Sequence, residues 1–350
     1  MMKKNNVNKK KNIYGIFALV AVVGAAVGGW QWYQHTADQD IVALRNLAKQ
    51  NHVDFNTSMQ TENFAQLIQT QSGASQLLTF FKDMYDANSL NKVAVNTDKT
   101  IPPILHHIWM GSPVRVQDIP LYHSWHIHHP EWTFIFWTDH ESNFDKGDLL
   151  VRSFEELDRV LAENKNKPCK IVVDIRGLQF DNRVYFDEAI NYGERGDILD
   201  YEIVYRYGGT YVDLDFECYR PLDLFHHMYD FFTGIQPLDT GRVQLGAALF
   251  GAIPHHPVMQ QCVENIKHNR HIPQIIAKTG PLYFTREFYK IAGRTGHKDI
   301  AFPASYFYPM GYEDKQKMKS EWCKNESFAT HHWAGSWLQP SGFVQSKVTA

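Results

Sequence analysis

Three carboxylates stand at alternate positions directly after a glycine pair, in the stretch GGTYVDLDFE that begins at Gly208. Side chains alternate between the two faces of a strand, so Asp213, Asp215 and Glu217 would share one face and the apolar residues between them the other. Such a face repels itself unless a cation neutralises it. Mg²⁺ and Mn²⁺ take oxygen ligands and are commonly held by carboxylates together with substrate phosphates. The stretch therefore predicts a metal and diphosphate site, and the alternative is a solvated acidic strand edge.

The residues before the glycine pair predict a helix from Asp197 to Tyr207. Leu199, Ile203 and Tyr207 lie four apart on one stripe, and Gly208 is of the residue type that commonly ends a helix. A helix that leads into a strand forms an α/β unit, and ligands bind at the carboxyl ends of the strands in open α/β sheets. The acidic positions therefore stand where a ligand site is expected.

Apolar strands and helices alternate along much of the remaining chain. Strand-like runs begin at Ile104, Trp132 and Gln244, and helical patterns cover 153–164 and 181–192. This alternation predicts the α/β fold class, with a mainly parallel sheet in one catalytic domain. With 350 residues, of which 44% are hydrophobic, the chain can bury one substantial core or two small ones.

Four segments in the same order resemble the sugar-binding Asp-x-Asp glycosyltransferases of family 32. The longest is RGDILDYEIVYRYGGTYVDLDFECYRPLD, which begins at Arg195. The others are IPPILHHIWMGSP from Ile101, TGP from Thr279 and HHWAGSW from His331, so the resemblance covers roughly 101–337. That family includes the yeast-type initiating α-1,6-mannosyltransferase and is related to the glucosylating domains of the large clostridial toxins. It implies a single GT-A-like domain that binds a nucleotide sugar.

The resemblance also implies a donor site. Trp109 would stack on the nucleotide base, Asp213 would touch the ribose or the sugar, and Asp197 would contact the donor sugar. Gly280 would let the backbone approach the sugar, and Trp337 would close over the leaving group. Three of these residues have structural alternatives, since Trp109 could be a core residue, Asp197 a helix N-cap and Gly280 part of a simple turn.

For the metal, the resemblance implies Mn²⁺ or Mg²⁺ bound directly by Asp215 and through water by Asp213. His332 and Ser336 from the C-terminal loop would complete the shell. Asp213, Asp215 and Asp197 are the expected catalytic residues. The paired histidines elsewhere match neither a zincin motif nor a zinc finger.

One position departs from the family pattern. The family commonly carries Arg three residues after the aspartate that corresponds to Asp197, and this chain has Asp200 there. Asp200 would suit the first turn of a helix, as a variant of the capping box. Arg195 or Arg206 would then replace the missing sugar contact.

The expected activity is the transfer of a hexose of the glucose, mannose or galactose type from a nucleoside-diphosphate sugar to an acceptor hydroxyl. The resemblance implies retention at the anomeric carbon, and the acceptor would be a glycan, a lipid or a protein. The alternative, prompted by Asp200, is a membrane-anchored protein that binds a sugar or nucleotide sugar without catalysis.

The first hundred residues predict an anchor and a stem. Residues 1–12 are a lysine-rich tail and 13–33 are an apolar run that ends in aromatic residues, which is typical of a membrane-spanning helix. A cleaved signal peptide is the competing interpretation. Residues 34–100 would form a stem or helical preface, and 101–350 the catalytic domain. Gly24 and Gly28 have the spacing of a helix-dimer face, which makes a homodimer one expected state.

The lysine bias places the N-terminus in the cytoplasm and the remainder across a single-pass membrane span. A nucleotide sugar on that far side suits a Golgi-type lumen in a eukaryote, and otherwise a bacterial membrane or an exported effector. A formal net charge of −3 gives no general attraction to nucleic acid. The four cysteines fit no zinc spacing and leave two disulfides or none as alternatives.

Overall fold

The computed structural model describes residues 40–165 and 167–339. Contacts divide the chain into two units, 1–47 and 48–350. Residues 40–50 are helical (α1). The predicted basic tail and the predicted membrane helix over 13–33 lie outside the described residues. Within the described ranges, none of the helices combines the length and the apolar character needed to span a bilayer.

An eight-stranded mixed sheet organises the larger unit, in the order β3-β4-β2-β1-β5-β8-β7-β9. Five of its seven neighbouring pairs are parallel, and β8 runs antiparallel to both β5 and β7. The predicted α/β class with a mainly parallel sheet is confirmed. The strands are β1 Ile104–Ile108, β2 Thr133–Thr138, β3 Leu149–Val151, β4 Lys170–Asp174, β5 Gly209–Val212, β6 Phe216–Cys218, β7 Phe231–Ile235, β8 Leu245–Ala252, β9 Asp299–Phe302 and β10 Ala329–His331.

The helices pack against this sheet. Helix α8 (Tyr192–Tyr207) lies on β1, β5 and β8, and α10 (Pro257–Asn265) and α12 (Pro281–Ile291) lie beside α8 and β8. The predicted helix over 181–192 is shorter in the structure, where only α7 is helical before α8. The helices after α1 have the following bounds: α2 Phe55–Met59, α3 Ala65–Thr70, α4 Ala74–Asn88, α5 Ile119–His128, α6 Phe154–Glu163, α7 Arg183–Glu188, α8 Tyr192–Tyr207, α9 Asp223–Met228, α10 Pro257–Asn265, α11 Ile275–Lys278, α12 Pro281–Ile291 and α13 Lys319–Trp322.

Residues 48–100 contain α2, α3 and α4 and pack on the sheet-bearing part of the same unit. The Ser58 and Ser305 hydroxyls are 2.6 Å apart, and the Tyr306 hydroxyl donates to the Asn51 carbonyl at 2.6 Å. The hydroxyls of Tyr85 and Tyr306 are 2.9 Å apart. Residues 48–100 therefore belong to the same compact unit as the strands.

The helix before the acidic motif is longer than predicted. α8 begins at Tyr192, where the Asn191 side chain accepts a hydrogen bond from the Gly193 amide, so Asp197 lies inside the helix. The interpretations of Asp197 as an N-cap and of Asp200 as part of a capping box are therefore wrong. Gly208 ends the helix, as predicted, but its φ of 64° and ψ of −158° lie outside the left-handed helical region expected of such a cap.

The acidic motif itself is not one continuous strand. β5 ends at Val212, and the Phe216 amide donates to the Asp213 carbonyl at 3.2 Å, which closes a turn before β6 begins. Leu214 points from this turn into a cluster with Tyr122 and Phe136. The prediction of one strand that carries all three acids is wrong, because the apolar side chain of Leu214 is buried by turning the chain.

The four cysteines are free thiols, so the alternative without disulfides is the one that the structure contains. Cys218 and Cys262 are buried, whereas Cys169 and Cys323 are partly exposed.

Gly209 offers a test of the junction between α8 and β5. Its φ is 89°, and a Cβ atom there would lie 2.5 Å from the Ile104 carbonyl oxygen. Gly209→Ala should lower the free energy of unfolding by about 1–3 kcal/mol, because it adds strain and a backbone clash. Thermal or urea unfolding measures this, and Gly177→Ala, whose Cβ meets no atom within 4 Å, is the matched control. Equal stability of the two variants would contradict the assigned backbone geometry.

Glu202 should make stability depend on pH. Burial raises its pKa to about 7, although the backbone amide and side chain of Asn182 both donate to its Oε1. The stability that this group contributes is present below its unfolded pKa and is lost as the pH rises through the folded value.

Glu202→Gln should therefore raise the free energy of unfolding by about 1–3 kcal/mol near pH 8 and change it little near pH 5, since the amide oxygen can still accept from Asn182. Urea titrations at both pH values measure the difference. The exposed Glu163→Gln serves as the control, and a pH-independent difference would contradict this assignment.

Candidate donor and metal site

The candidate site lies at the carboxyl ends of the central strands. Since β1 runs parallel to β2 and β5, the residues that follow these three strands meet at one edge of the sheet. They include Trp109 after β1, Asp139 after β2 and Asp213 after β5. The Asp139 carboxylate accepts from the Gly111 amide at 2.7 Å and ties the first two loops together.

A second, two-stranded sheet completes this edge. β10 pairs antiparallel with β6, which places His331 opposite Phe216. The rings of these two residues stack at 5.0 Å. The side chains of Asp213, Asp215 and His331 offer ligand atoms that lie within 4.8 Å of one another.

The segment after β10 wraps around Asp215. The Nε2 atom of His331 lies 3.1 Å from Oδ1 of Asp215, and the Ala334 amide donates to Oδ2 at 2.8 Å. The His332 amide donates to the Asp215 main-chain carbonyl at 2.9 Å. Trp333 adopts a φ of 52° between these contacts. Left-handed backbone at a residue other than glycine is strained, and strain of this kind clusters at functional sites.

The pKa values of Asp213 and Asp215 shift in opposite directions. Burial raises the pKa of Asp213, and the neighbouring charge of Asp215 raises it further. Burial also disfavours charge on Asp215, but the charge and hydrogen bond of His331 and the Ala334 amide together lower its pKa. The pKa of His331 is raised, because the Asp215 carboxylate outweighs the effect of burial. Protons thus compensate negative charge that a bound cation would otherwise neutralise.

The Tyr211 hydroxyl donates to Oδ1 of Asp213 at 2.5 Å. Tyr211 stands on β5 two residues before Asp213, and burial raises the pKa of its hydroxyl well above the usual range. It therefore acts as a fixed hydrogen-bond donor that orients the Asp213 carboxylate.

Glu217, the third acid of the motif, binds His332, the predicted metal ligand, and neither residue joins the cluster of Asp213, Asp215 and His331. The His332 Nε2 atom lies 3.1 Å from Oε2 of Glu217, and Lys319 Nζ lies 3.1 Å from Oε1. Burial disfavours charge on Glu217, but the hydrogen bonds from His332 and Lys319 lower its pKa to about 2. His331, which precedes His332, is the histidine that faces Asp215.

The other predicted C-terminal residues lie further along the same loop. Ser336 begins a short 3-10 turn, Ser336–Leu338, two residues after Ala334. The Trp337 carbonyl accepts from the Asn191 side chain at 2.8 Å, and a Cβ on Gly193 would lie 2.8 Å from that of Trp337. Trp337 therefore packs on the first turn of α8, the helix that carries Asp197.

Trp109 is half-buried and packs on the apolar cluster that contains Leu214. Its indole N–H donates to the Pro113 carbonyl at 3.1 Å, and the Arg115 guanidinium lies 5.2 Å from the ring centroid. Arg115 binds Asp118 through two hydrogen bonds of 2.5 and 2.9 Å. Its positive charge also helps to lower the pKa of Asp215, so it belongs to the electrostatic surroundings of the site.

Asp197 and Gly280, which the resemblance assigns to the donor sugar, lie close together in the structure. The Thr279 hydroxyl donates to Oδ2 of Asp197 at 2.8 Å, and a Cβ on Gly280 would lie 3.4 Å from the same atom. Burial raises the pKa of Asp197 well above its usual range, and the charges of Asp213 and Glu194 add to this effect.

Asp200 lies close to this group and is 1% exposed. Burial raises its pKa well above the usual range, and the charges of Asp197 and Asp213 raise it further. Its Oδ1 atom has no hydrogen-bond partner among the described residues.

The two arginines expected to replace the missing sugar contact are engaged elsewhere. Arg206 binds Asp158 at 2.8 Å, and Arg195 donates to the carbonyls of Ala189 and Asp187 at 3.0 and 3.2 Å. The part of the candidate site around Asp197 and Asp200 is therefore acidic.

Reasoning from the sequence missed His331, Tyr211 and Arg115 as members of the site. His331 stood inside the quoted C-terminal loop, and choosing it over His332 needs the register of β10 on β6. Tyr211 shows an i to i+2 spacing to Asp213, which places both on one side of an extended chain. Arg115 had no sequence signal beyond its place after the Trp109 segment.

The three clustered side chains suit a divalent cation. Two carboxylates and one imidazole form a mixed oxygen and nitrogen donor set that Mn²⁺ accepts, and the carboxylates alone suit Mg²⁺. The raised pKa of His331 and that of Asp213 show that negative charge is concentrated at this point. Asp213, Asp215 and His331 could hold the ion, and other positions would be open to a substrate.

Comparison with known protein families identifies the region that contains the two aspartates. A family model described as glycosyltransferase sugar-binding region containing DXD motif matches residues 114–232, which include the Asp213-Leu214-Asp215 turn. This part of the chain is thus a DXD glycosyltransferase region, and the resemblance seen in the sequence is confirmed.

Similar proteins come from two yeasts. Inositol phosphoceramide mannosyltransferase 2 of Schizosaccharomyces pombe is 27% identical over 200 residues, covering 56% of this chain and 48% of that protein. Inositol phosphoceramide mannosyltransferase 1 of the same yeast is 25% identical over 221 residues, covering 60% and 58%. Mannosyl phosphorylinositol ceramide synthase CSH1 of Saccharomyces cerevisiae is 27% identical over 190 residues, covering 53% and 42%. The chain spans about half the length of the curated relatives it matches.

Solved structures similar to this chain include PaToxG glycosyltransferase, with a TM-score of 0.42, 16% identity and coverage of 62% of this chain and 76% of that one. The catalytic domain of alpha-toxin from Clostridium novyi gives a TM-score of 0.36, 11% identity and coverage of 67% and 68%. Both TM-scores lie below 0.5.

Mn²⁺ binding distinguishes the two adjacent histidines. Asp215→Asn and His331→Gln should each weaken binding by about tenfold or more, because each removes a donor from the cluster. His332→Gln should leave the affinity within about twofold of the unmodified protein, since His332 binds Glu217. Calorimetry or the electron paramagnetic resonance signal of free Mn²⁺ measures the affinity. If His332→Gln weakened binding and His331→Gln did not, the sequence-based assignment of His332 would be the better one.

Proposed function

We propose that this protein is a metal-dependent glycosyltransferase that moves a hexose from a nucleoside-diphosphate sugar to an acceptor hydroxyl. The observation that carries the proposal is the convergence of Asp213, Asp215 and His331 at the carboxyl edge of the sheet. The two aspartates lie inside the region matched by a DXD glycosyltransferase family. The family implies a GT-A-like domain and retention at the anomeric carbon.

The proposed residues divide the work along the donor. Trp109 offers a partly exposed ring that would stack on the base, and a fixed base position lowers the entropic part of the barrier. Asp213 and Asp215 would hold the cation together with His331, whereas the earlier prediction adds His332 and Ser336. A bound Mn²⁺ or Mg²⁺ would stabilise the charge that develops on the leaving diphosphate. Trp337, packed on the first turn of α8, would cover that end of the donor.

The sugar end is formed by Asp197, Asp213 and the backbone at Gly280. The Thr279 hydrogen bond to Asp197 fixes one carboxylate oxygen, which leaves the other to accept from a sugar hydroxyl. Among glucose, mannose and galactose, the names of the yeast relatives favour mannose. We expect the acceptor to be a glycan, a lipid or a protein hydroxyl.

A second candidate function is binding of a nucleotide sugar without transfer. The specific observation in its favour is the buried Asp200 in place of the family arginine, together with the engagement of Arg195 and Arg206 elsewhere. Such a protein would bind the donor saturably and release no nucleoside diphosphate.

The cellular setting follows from the sequence. We propose that residues 13–33 anchor the chain with its N-terminus in the cytoplasm, and that Gly24 and Gly28 provide a dimer contact. A Golgi-type lumen would suit a eukaryotic protein, and a bacterial membrane or an exported effector the other case.

Turnover of a donor panel tests the proposal. The full-length chain with Mn²⁺ should release nucleoside diphosphate from at least one UDP or GDP hexose, and Asp215→Asn should reduce the rate by about 100-fold or more. Glu217→Gln is the matched control, because Glu217 belongs to the same motif but binds His332 and Lys319, and it should keep most of the rate.

Donor binding measured on the same samples separates the two functions. Saturable binding without nucleotide release would establish the binding protein and refute the transferase. An unchanged rate in Asp215→Asn would show that the cation site is wrongly assigned.

A further inference from the structure

A cleft of about 700 Å³ lies beside the candidate site, between the helical preface and the loops that follow β7 and β9. Its volume falls in the range of roughly 300–1,000 Å³ that is common for small-ligand sites. Residues 57–60 form one side, and Ser305 and Tyr308 lie on the other. The contact between the Ser58 and Ser305 hydroxyls holds the two sides together.

Tyr308 connects the cleft with the metal cluster. It lines the cleft, and its ring lies 5.9 Å from that of His331 and 5.3 Å from that of Phe216. The adjoining segment also reaches the loop around Asp215, because Lys315 donates to the Trp333 carbonyl at 2.7 Å. Tyr308 therefore belongs both to the lining of the cleft and to the aromatic surroundings of the cluster.

Three polar atoms of cleft-lining residues have no hydrogen-bond partner among the described residues, and one of them is the Tyr308 hydroxyl. The second is the indole nitrogen of Trp322, a side chain that is only 7% exposed, and the third is Oδ1 of Asp239. The hydroxyl can donate and accept, the indole N–H donates, and the carboxylate oxygen accepts. An unpaired buried polar atom is costly, so these atoms favour a ligand that can accept and donate hydrogen bonds. A sugar hydroxyl does both.

The charge of the cleft restricts the ligand further. Its wall contains five carboxylate side chains and two lysines, namely Asp239, Glu313, Asp314, Glu321, Glu326, Lys317 and Lys324. Lys317 binds Asp314 at 2.5 Å, and Lys324 donates to the Glu321 carbonyl at 3.3 Å. Both cations are thus engaged, and an anionic phosphate would meet net negative charge.

We propose that this cleft binds uncharged sugar residues of a glycan acceptor, remote from the hydroxyl that reacts. Carboxylates accept strong hydrogen bonds from hydroxyls, and the Trp322 N–H supplies the complementary donor. The inference rests on the transferase function proposed above and narrows its acceptor to a neutral oligosaccharide. It differs from the phosphoinositol lipids that appear in the names of the yeast relatives.

Binding of two probes to the full-length chain without donor tests this inference. The neutral disaccharide α-mannobiose should bind measurably by calorimetry or saturation-transfer NMR, and inositol 1-phosphate should bind at least about tenfold more weakly. Asp239→Asn and Trp322→Phe should each weaken mannobiose binding by about fivefold or more, since each changes one polar atom and keeps the shape. The exposed Glu163→Gln, outside the cleft, should leave binding unchanged.

The inference would be overturned if inositol 1-phosphate bound more tightly than mannobiose, or if mannobiose did not bind. It would also be overturned if both cleft variants bound mannobiose as tightly as the unmodified protein. If Trp322→Phe did not fold, Asp239→Asn would decide alone. Nucleotide release from the donor panel is a separate readout. Release without mannobiose binding would refute the cleft assignment only, whereas mannobiose binding without release would refute the transferase and leave a carbohydrate-binding cleft.

Discussion

The pairing of β6 with β10 is the interaction on which the candidate site depends. It joins residues more than a hundred positions apart, because His331 reaches Asp215 across a sequence separation of 116. Without this ladder, the Asp213–Asp215 turn would be an acidic loop at the end of β5. With it, the main-chain amides of His332 and Ala334 bind Asp215 and the His331 ring stacks on Phe216. The strained backbone at Trp333 is maintained by these contacts, and it fixes the direction in which the loop leaves the site.

Electrostatic cost is the second constraint, because the site concentrates buried carboxyl groups. Burial and mutual repulsion raise the pKa values of Asp197, Asp200 and Asp213, and the nearby positive groups are few. His331 faces Asp215, and Arg115 is bound by Asp118. A fold tolerates such an arrangement when a cation or sugar hydroxyls bind there, since these ligands supply the charge and the donors that the protein lacks. The neighbouring cleft has the same acidic character, and Tyr308 forms the boundary between the two regions.

Part of this arrangement could be predicted from the sequence. The α/β class, the mainly parallel sheet and the end of α8 at Gly208 follow from local patterns, and they are confirmed. The DXD glycosyltransferase region follows from the family resemblance, which is also confirmed. The start of α8 was misplaced, because Gly193 and Gly196 weaken the local helix signal while Asn191 and the contact with Trp337 stabilise the earlier turn. The predicted strand through Glu217 was wrong for a similar reason. Alternation of apolar and acidic residues fits a strand, but burial of Leu214 in its cluster requires a turn. The metal roles of His332 and Ser336 remain predictions.

The sequence by itself determined which chemical groups are available and where the strands end, because those properties depend on residue type and on periods of two and 3.6 residues. It placed Asp213, Asp215, Trp109 and the C-terminal His-Trp loop in one site by resemblance. Only the tertiary structure decided that His331 faces Asp215 while His332 binds Glu217, since one residue of register on β10 exchanges the two faces. It also decided that Asp200 is buried without an arginine and that the helical preface closes one side of the cleft. Such outcomes depend on contacts between distant segments, which local sequence patterns do not encode.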